Sequence, residues 1–209
     1  MAPAPNKKLE ELLLEAKLLG DIKRKAEKEK IPVIDEDTGR FLEAISFVKK
    51  PREILEIGCG SGFSSYFLVK NLEDGSYTGI DLNKERLKRA EEFIKNKFPD
   101  KKVRFLSGNA IKIIPSLDKR FDMVFIDAAK YEYPLYIKVL DGKLSKGAIV
   151  IADNIFYQHK VFKKELSKHD YNSVAGIRGY IDFVTNSKDF RTELINIGDG
   201  ISISEFVGI

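Results

Sequence analysis

Apolar runs of strand length alternate with amphipathic segments through the middle of the chain. Each run has four to seven mostly apolar or β-branched residues, and most of the segments between them show the spacing of an amphipathic helix. Five strand–helix steps in succession predict a parallel, doubly wound sheet with right-handed crossovers. The five predicted strands are EILEIG (53–58), SYTGID (76–81), KVRFLSG (102–108), FDMVFID (121–127) and GAIVIAD (147–153).

The first 48 residues have a different pattern. Leucines at helical spacing predict a helix over 7–19, which Gly20 interrupts before a second, basic helix. The segment IPVIDE then predicts an extended lead-in to a helix over 37–48.

The last third of the chain predicts a hairpin. A helical region near 174–187 is followed by two alternating runs separated by Gly198-Asp199-Gly200. The final strand therefore joins an otherwise parallel sheet as an antiparallel strand. Residues 155–172 are irregular and lysine-rich, as in a lid or an insertion. We expect one α/β domain over 1–209, with an N-terminal helical segment (1–48) and a Rossmann-like core (49–209).

Composition narrows the class of protein. The chain of 209 residues has 43% hydrophobic and 33% charged residues, and no apolar run approaches the ~20 residues of a membrane span. Its start lacks the apolar centre of a signal peptide, so we expect a cytoplasmic protein. One cysteine and two histidines exclude a cysteine- or histidine-rich metal centre, so a metal would be held mainly by oxygen. The net charge of +4 permits a polyanionic partner without requiring one.

A glycine loop joins the first predicted strand to its helix. Gly58, Gly60 and Gly62 allow a tight turn and close approach of a ligand, and Asp81 ends the next strand, where it can accept ribose hydroxyls. Phe63 stands where a dinucleotide fingerprint has its third glycine, and this spacing is commoner for S-adenosylmethionine. The alternative is a glycine-rich turn that serves packing alone.

A third loop, Gly108-Asn109-Ala110, follows the third strand. Asn109 can bond an adenine amino group and the Ala110 N–H a ring nitrogen, although Asn after Gly is also ordinary turn chemistry.

Polar residues end the fourth and fifth predicted strands. Asp127 follows one strand, and Asp153 with Asn154 follows the other. Because carboxyl ends of neighbouring parallel strands meet at one edge, these side chains should gather near the glycine loop. Two carboxylates and an amide oxygen suit Mg²⁺, Mn²⁺ or Ca²⁺. The alternative is that Asp153 and Asn154 cap a helix.

Lys130, three residues after Asp127, is the candidate catalytic base. A lysine beside a divalent cation and partly desolvated can take a proton from a hydroxyl. The alternative is an ordinary solvated lysine in a first helical turn, although that placement is mildly unfavourable with the helix dipole.

Together these motifs resemble one family. EIGCGSGFSS, GID, GNA, FIDAAKYEY, IADN and IGDGISIS are similar to segments of the metal-dependent class I O-methyltransferases, which include catechol and caffeoyl-CoA O-methyltransferases. The resemblance covers residues 30–209, and the nearest likeness is the bacterial branch that methylates 5-hydroxyuridine at the tRNA wobble position.

The resemblance implies a role for individual residues. It implies a class I methyltransferase fold, S-adenosylmethionine as cofactor, and a divalent metal bound by Asp127, Asp153 and Asn154. Lys130 would be the catalytic base, with Asp127 beside it. The cofactor would contact Ile34, Glu56, Gly58, Gly60, Ser64, Asp81, Asn109, Ala110 and Asp127, and Tyr133 and Arg178 would belong to the substrate pocket.

The sequence also departs from the family. Asn109 replaces a frequent aspartate, and Ala128 replaces the histidine of catechol enzymes. The C-terminus lacks the basic tail expected of the tRNA-modifying branch.

Three functions stay open at this point. The first is methylation of a tRNA anticodon loop, favoured by the family likeness and by two basic segments with Tyr157 and Tyr171 as stacking candidates. The second is methylation of a small molecule with vicinal oxygens, such as a catechol or caffeoyl-CoA. The third is a non-catalytic module that binds S-adenosylmethionine, which the intact metal and lysine set disfavours. We also expect a homodimer, with leucines of the first helix at the interface. The basic residues are Lys23, Arg24, Lys25, Lys28 and Lys30, then Lys160, Lys163, Lys164, Lys168 and Arg178.

Overall fold

The computed structural model describes residues 6–208 and shows alternating helices and strands in this range. The helices are α1 (Lys7–Lys28), α2 (Glu36–Lys49), α3 (Phe63–Lys70), α4 (Lys84–Lys97), α5 (Ala110–Ile113), α6 (Tyr133–Val139) and α7 (Lys168–Asn186). The strands are β1 (Glu53–Ile57), β2 (Ser76–Asp81), β3 (Lys102–Ser107), β4 (Phe121–Ile126), β5 (Leu144–Ala152), β6 (Phe190–Ile195) and β7 (Ile201–Phe206).

The strands form one seven-stranded sheet in the order β3-β2-β1-β4-β5-β7-β6. Strands β1 to β5 pair in parallel, and β7 is antiparallel to both of its neighbours, β5 and β6. This confirms the predicted mixed sheet with one antiparallel C-terminal strand. The strand order reverses between β1 and β4, and a crevice for a ligand forms beyond the carboxyl ends at such a point.

Helices cover both faces of the sheet. One buried cluster joins α5, α6 and α7 to one face, with Tyr133 and Tyr180 fully buried in it. The other joins α1 to α4 to the opposite face, and Leu19 of α1 and Leu42 of α2 belong to it. Burial on both sides explains the nearly continuous apolar sequence of β4.

Three element boundaries differ from the sequence-based expectation. Helix α1 continues through Gly20, because burial of Leu19 and Ala26 offsets the ~1 kcal/mol that a glycine costs inside a helix. Helix α7 begins at Lys168, since the Ser167 side chain caps it by accepting a bond from the Asp170 N–H. Strand β5 begins at Leu144, three residues before the predicted strand over 147–153, because the Leu144 side chain is buried in the core.

Helix α1 exposes an apolar surface. Leu13 and Leu14 are 71% and 70% exposed, and Leu9 and Leu12 are about half exposed. The homodimer expected from these leucines stays a prediction. Among residues 6–208, no helix is both long enough and apolar enough to cross a bilayer.

Candidate active site

A cavity of about 750 Å³ opens at the carboxyl edge of the parallel strands. Its wall is formed by the glycine loop, the ends of β2 to β5 and the lead-in to α2. Ten of the fourteen predicted site residues lie in this wall: Ile34, Gly58, Gly60, Asp81, Asn109, Ala110, Asp127, Lys130, Asp153 and Asn154.

Glycines in the first loop have different structural tasks. Gly58 has φ +91°, and a Cβ atom there would overlap the carbonyl oxygen of Asp127. Gly60 has φ +50°, and a Cβ atom there would meet no protein atom within 4 Å. Gly58 is therefore needed for packing of β1 against the end of β4, whereas Gly60 borders open space that a ligand can fill.

Asp81 and Asn109 are both held by backbone N–H groups. One carboxylate oxygen of Asp81 accepts a bond from Gly60 N (2.8 Å) and the other from Asn83 N (2.7 Å). The Asn109 side-chain oxygen accepts from Ile111 N at 2.8 Å and caps α5. The carboxylate keeps further lone pairs and the amide keeps its NH₂ group, so both side chains can still bind a ligand in the cavity.

The ends of β4 and β5 bring two carboxylates to one place. Asp127 N donates to Ile57 O (2.9 Å) and Asp153 N donates to Ile126 O (3.0 Å), so the ladder places β1, β4 and β5 in step. Asp153 is only 2% exposed. Burial, followed by the negative charge of Asp127, raises the pKa of Asp153 to about 7.

Lys130 lies directly against this pair. Its ammonium donates to a carboxylate oxygen of Asp127 at 2.7 Å and sits 5.3 Å from the centre of the Tyr133 ring. Helix α7 fixes the turn from behind, because a Cβ atom at Gly176 would overlap the Lys130 carbonyl oxygen. Lys130 is thus a positioned, mostly buried lysine rather than the solvated one of the alternative reading.

The donors in this corner suit a hard divalent cation. Asp127, Asp153 and Asn154 line the same cavity, and burial together with the charge of Asp127 raises the pKa of Asp153 although Lys130 lies close by. Within residues 6–208, no group of three or more His, Cys, Asp or Glu side chains could hold a metal. A cation here would therefore need the amide oxygen and oxygens from waters or an acceptor molecule to complete its shell.

Comparison with known proteins identifies the family. The family model described as O-methyltransferase matches residues 10–205. The chain belongs to the O-methyltransferase family. Caffeoyl-CoA O-methyltransferase from Medicago sativa is 28% identical over 181 residues, which are 80% of this chain and 72% of the relative.

Solved structures share the fold of this O-methyltransferase. TomG from Streptomyces achromogenes, solved with SAM, has a TM-score of 0.80 and 24% identity over 91% of this chain and 89% of that one. An O-methyltransferase from Bacillus cereus, solved with SAH, has a TM-score of 0.80 and 21% identity over 90% of both chains. These structures show the fold that this chain shares, and the family match makes it an O-methyltransferase.

Two predicted cofactor residues lie behind the cavity wall of the O-methyltransferase. Glu56 is fully buried in the body of β1, and its carboxylate accepts bonds from three hydroxyl groups, those of Ser64, Ser65 and Tyr77. Glu56 therefore lies outside the wall of both cavities, and its predicted contact with the cofactor stays a prediction. Ser64 lines a small side cavity, of about 20 Å³, next to the main one.

Tyr133 and Arg178 lie outside the cavity wall, and their place in a substrate pocket stays a prediction. Tyr133 is fully buried, and its hydroxyl donates to the carbonyl oxygens of Asp153 (2.9 Å) and Ile126 (3.3 Å). It therefore holds the ends of β4 and β5 together. The Arg178 guanidinium donates to the carbonyls of Val161 (2.8 Å) and Lys163 (2.6 Å), so it braces the irregular segment from outside the cavity.

Sequence reasoning missed several wall residues. Tyr136 faces the cavity in place of Tyr133, because a 3₁₀ turn over 130–132 precedes α6 and sets its phase. Asp35 lies in the lead-in that the sequence singled out, although only Ile34 was chosen there. Gln158 and Arg86 carried no sequence signal, whereas Tyr157, proposed for stacking, does line the wall.

Proposed function

We propose that this O-methyltransferase is dependent on a divalent cation and methylates a hydroxyl that has a second oxygen beside it on the acceptor. One observation carries the proposal: Asp127, Asp153, Asn154 and Lys130 share a cavity with the glycine loop, Asp81 and Asn109. A protein that only binds the cofactor would need the glycine loop, Asp81 and Asn109, but not the other four residues.

The cofactor would lie across the first three strand ends. Asp81 would accept bonds from the ribose hydroxyls, and Asn109 with the Ala110 N–H would bind the adenine edge. Ile34 would cover the cofactor from the lead-in to α2. The open space at Gly60 would admit the chain that carries the sulfonium centre, whose methyl group is already activated for transfer.

The acceptor would lie on the other side of the cavity, beside Asp127, Asp153 and Asn154. A divalent cation held by these residues would supply Lewis acidity and orient the two neighbouring oxygens. Lys130, after its ammonium has released a proton, would take the proton of the attacking hydroxyl at its neutral Nζ atom, which the structure holds 2.7 Å from Asp127. Tyr133 would keep the two carboxylates in register through its bonds to the strand ends.

A small acceptor is the first candidate. The Medicago sativa relative is a caffeoyl-CoA O-methyltransferase, and a vicinal diol offers the two adjacent oxygens that this corner requires. Two basic side chains proposed for RNA binding already have partners within the protein. Lys160 pairs with Asp170 at 2.8 Å, and the Arg178 guanidinium donates to backbone carbonyls. Both observations favour a small molecule.

A tRNA anticodon loop is the second candidate, on one specific observation. Phe162 and Tyr171 are 66% and 62% exposed, and exposed lysines accompany them along the segment that follows Tyr157. Exposed aromatic rings among lysines suit stacking on single-stranded bases. The 5-hydroxyl and 4-carbonyl of 5-hydroxyuridine would present the same pair of oxygens as a diol.

Incubation with labelled S-adenosylmethionine and Mg²⁺ tests the proposal. One reaction receives a catechol or caffeoyl-CoA, another receives tRNA lacking the wobble modification, and each is repeated with EDTA. We expect label in the small acceptor, and its loss with EDTA. Undiminished transfer in EDTA would contradict the metal, and label in neither acceptor would favour a binding module.

A double variant, Lys163→Gln with Lys164→Gln, separates the two acceptors. Both lysines are exposed and lie outside the cavity wall. If tRNA is the acceptor, the variant should lose tRNA labelling in a salt-dependent manner. Labelling of a small acceptor should be unchanged.

A further inference from the structure

A fully buried carboxylate lies directly beneath the glycine loop. Glu56 is inaccessible to solvent, and its side chain points from β1 toward the first turn of α3. One of its oxygens accepts a bond from Ser64, and the other accepts from Ser65 (2.7 Å) and Tyr77. Burial raises the pKa of Glu56 to about 7, against the lowering effect of these three hydroxyl groups. A carboxylate this deep needs such donors, because an unsatisfied charge would be costly.

Tyr77 reaches the carboxylate from the neighbouring strand. Its hydroxyl is 2.8 Å from the Ser65 hydroxyl, and a Cβ atom at Gly79 would lie 2.6 Å from it. Gly79 therefore clears the path along which Tyr77 extends, and Gly79 is the register partner of Glu56 in the β1–β2 pair. The hydroxyl of Tyr77, the Glu56 carboxylate and the first turn of α3 form one packed unit.

Ser64 connects this unit to the cavity. Ser64 lines the side cavity of about 20 Å³ together with Gly60, Ile34 and Asp127. A space of that size holds a single small polar group. Because Ser64 gives its only proton to Glu56, its oxygen can offer only lone pairs to that space. With carboxylates of Glu56 behind and Asp127 beside it, the space suits a cationic donor.

We propose that Tyr77 and Ser65 are positioning residues of the cofactor site. They hold one oxygen of Glu56, so that the other keeps Ser64 as a donor and leaves the Ser64 oxygen ready to accept a bond from the α-ammonium group of the cofactor's methionine end. This inference rests on binding of S-adenosylmethionine in the main cavity, and it adds two residues that never touch the cofactor.

The test compares two ligands that differ at the methionine end. S-adenosylhomocysteine carries the amino-acid group, whereas 5′-methylthioadenosine has the same nucleoside and lacks that group. Binding of each is measured by calorimetry to the wild-type chain and to Tyr77→Phe, with Ser65→Ala as a second variant. We expect Tyr77→Phe to weaken S-adenosylhomocysteine about tenfold, which is typical for loss of a bond to a charged group. Binding of 5′-methylthioadenosine should not change.

Tyr180→Phe is the matched control. Tyr180 is equally buried, its hydroxyl bonds Ser202 at 3.0 Å on the other face of the sheet, and it lines neither cavity. We expect it to change neither affinity. Equal loss of both ligands in Tyr77→Phe and in Ser65→Ala would overturn the inference in favour of general loosening of the fold.

Two further outcomes are distinguishable. Unchanged affinity for S-adenosylhomocysteine in both variants would also overturn the inference and leave Tyr77 and Ser65 with packing alone. Failure of the wild-type chain to bind S-adenosylhomocysteine would instead overturn the cofactor assignment on which the inference rests.

Discussion

Two buried carboxyl groups, Glu56 and Asp153, both have a raised pKa, but their hydrogen-bond partners differ. In both, burial is the largest cause that raises the pKa to about 7. Glu56 sits inside β1, where three hydroxyl groups bind its oxygens. Asp153 follows the end of β5, where its carboxylate accepts one backbone bond, from Asn154 N at 2.7 Å, and faces the cavity.

The difference lies in unused lone pairs. A residue inside a strand is surrounded by side chains of the same face, which can satisfy it completely. A residue just past a strand end faces the crevice, and the chain leaves part of its hydrogen-bonding capacity open. A raised pKa therefore marks burial in both cases, whereas open oxygens distinguish the group that can bind a ligand from the group that holds others in place.

The largest expected effect comes from removal of the open carboxylate. Asp153→Ala should lower kcat/KM for methyl transfer about a thousandfold, because the cation would lose a charged ligand worth several kcal/mol to the reaction. Added Mg²⁺ or Mn²⁺ should not restore the rate. The affinity for S-adenosylhomocysteine should stay near that of the wild type.

Asp122→Ala is the control for that variant. Asp122 is a residue of β4, near the amino-terminal end of that strand and far from the cavity edge. Its carboxylate accepts bonds from Arg52 N and Glu53 N. Its loss should reduce stability and spare the methyl-transfer rate of the folded protein. Near-normal turnover of Asp153→Ala would contradict the proposal that Asp153, unlike Glu56, binds a ligand.

Lys130→Met should have the second-largest effect. Methionine keeps the length of the side chain and removes its basic nitrogen, and loss of a general base costs about a hundredfold or more in rate. Lys138→Met, an exposed position on α6, should not change the rate. Initial rates at saturating cofactor decide the prediction, and equal rates for the two variants would show that Lys130 only pairs with Asp127.

The sequence predicted the residues around Asp153 at the cavity better than the hydrogen-bond partners of Glu56. Asp127, Asp153 and Asn154 stand at ends of apolar runs, and parallel pairing alone brings such ends together. Lys130 follows within one turn of Asp127. These placements need no knowledge of distant side chains, and the structure indeed brings all four to one cavity.

The partners of Glu56 could not be read in the same way. Tyr77 reaches Glu56 only because Ile54 pairs with Tyr77 and Glu56 with Gly79, a register that no local pattern fixes. The choice between Tyr133 and Tyr136 likewise depends on the 3₁₀ turn before α6. Arg178 reads as a cation for a ligand in sequence, and only the fold shows that carbonyl groups already occupy it.

The third prediction concerns how the protonation of Glu56 makes the free energy of unfolding depend on pH. Glu56 binds its proton more tightly when folded, so between its ordinary pKa and about 7 the folded chain holds more protons than the unfolded chain. The free energy of unfolding should therefore fall as pH rises from 5 to 8, by about 2 kcal/mol from this group. Glu56→Gln should lose that share of the slope.

Urea unfolding at several pH values, with EDTA present, measures this effect. Asp153 titrates in the same window in the wild type and in Glu56→Gln, so the difference between the two slopes reports Glu56 alone. Equal pH slopes in the wild type and in Glu56→Gln would mean that the three hydroxyl groups keep Glu56 ionised. The pKa of Glu56 would then not be raised as that of Asp153 is.

The smallest expected effect separates backbone strain from ligand binding at Asn154. This residue has φ +55°, which glycine adopts freely, so Asn154→Gly should change the free energy of unfolding by less than about 1 kcal/mol. Lys50, at φ +49° after α2 and outside the cavity wall, provides the matched Lys50→Gly control for the same backbone change. Only Asn154→Gly should reduce methyl transfer, by at least about tenfold, since even residues that merely support a metal ligand cost that much when removed. Equal rates in the two glycine variants would show that Asn154 was chosen for its backbone conformation, and the cation would then rest on the two carboxylates without the amide.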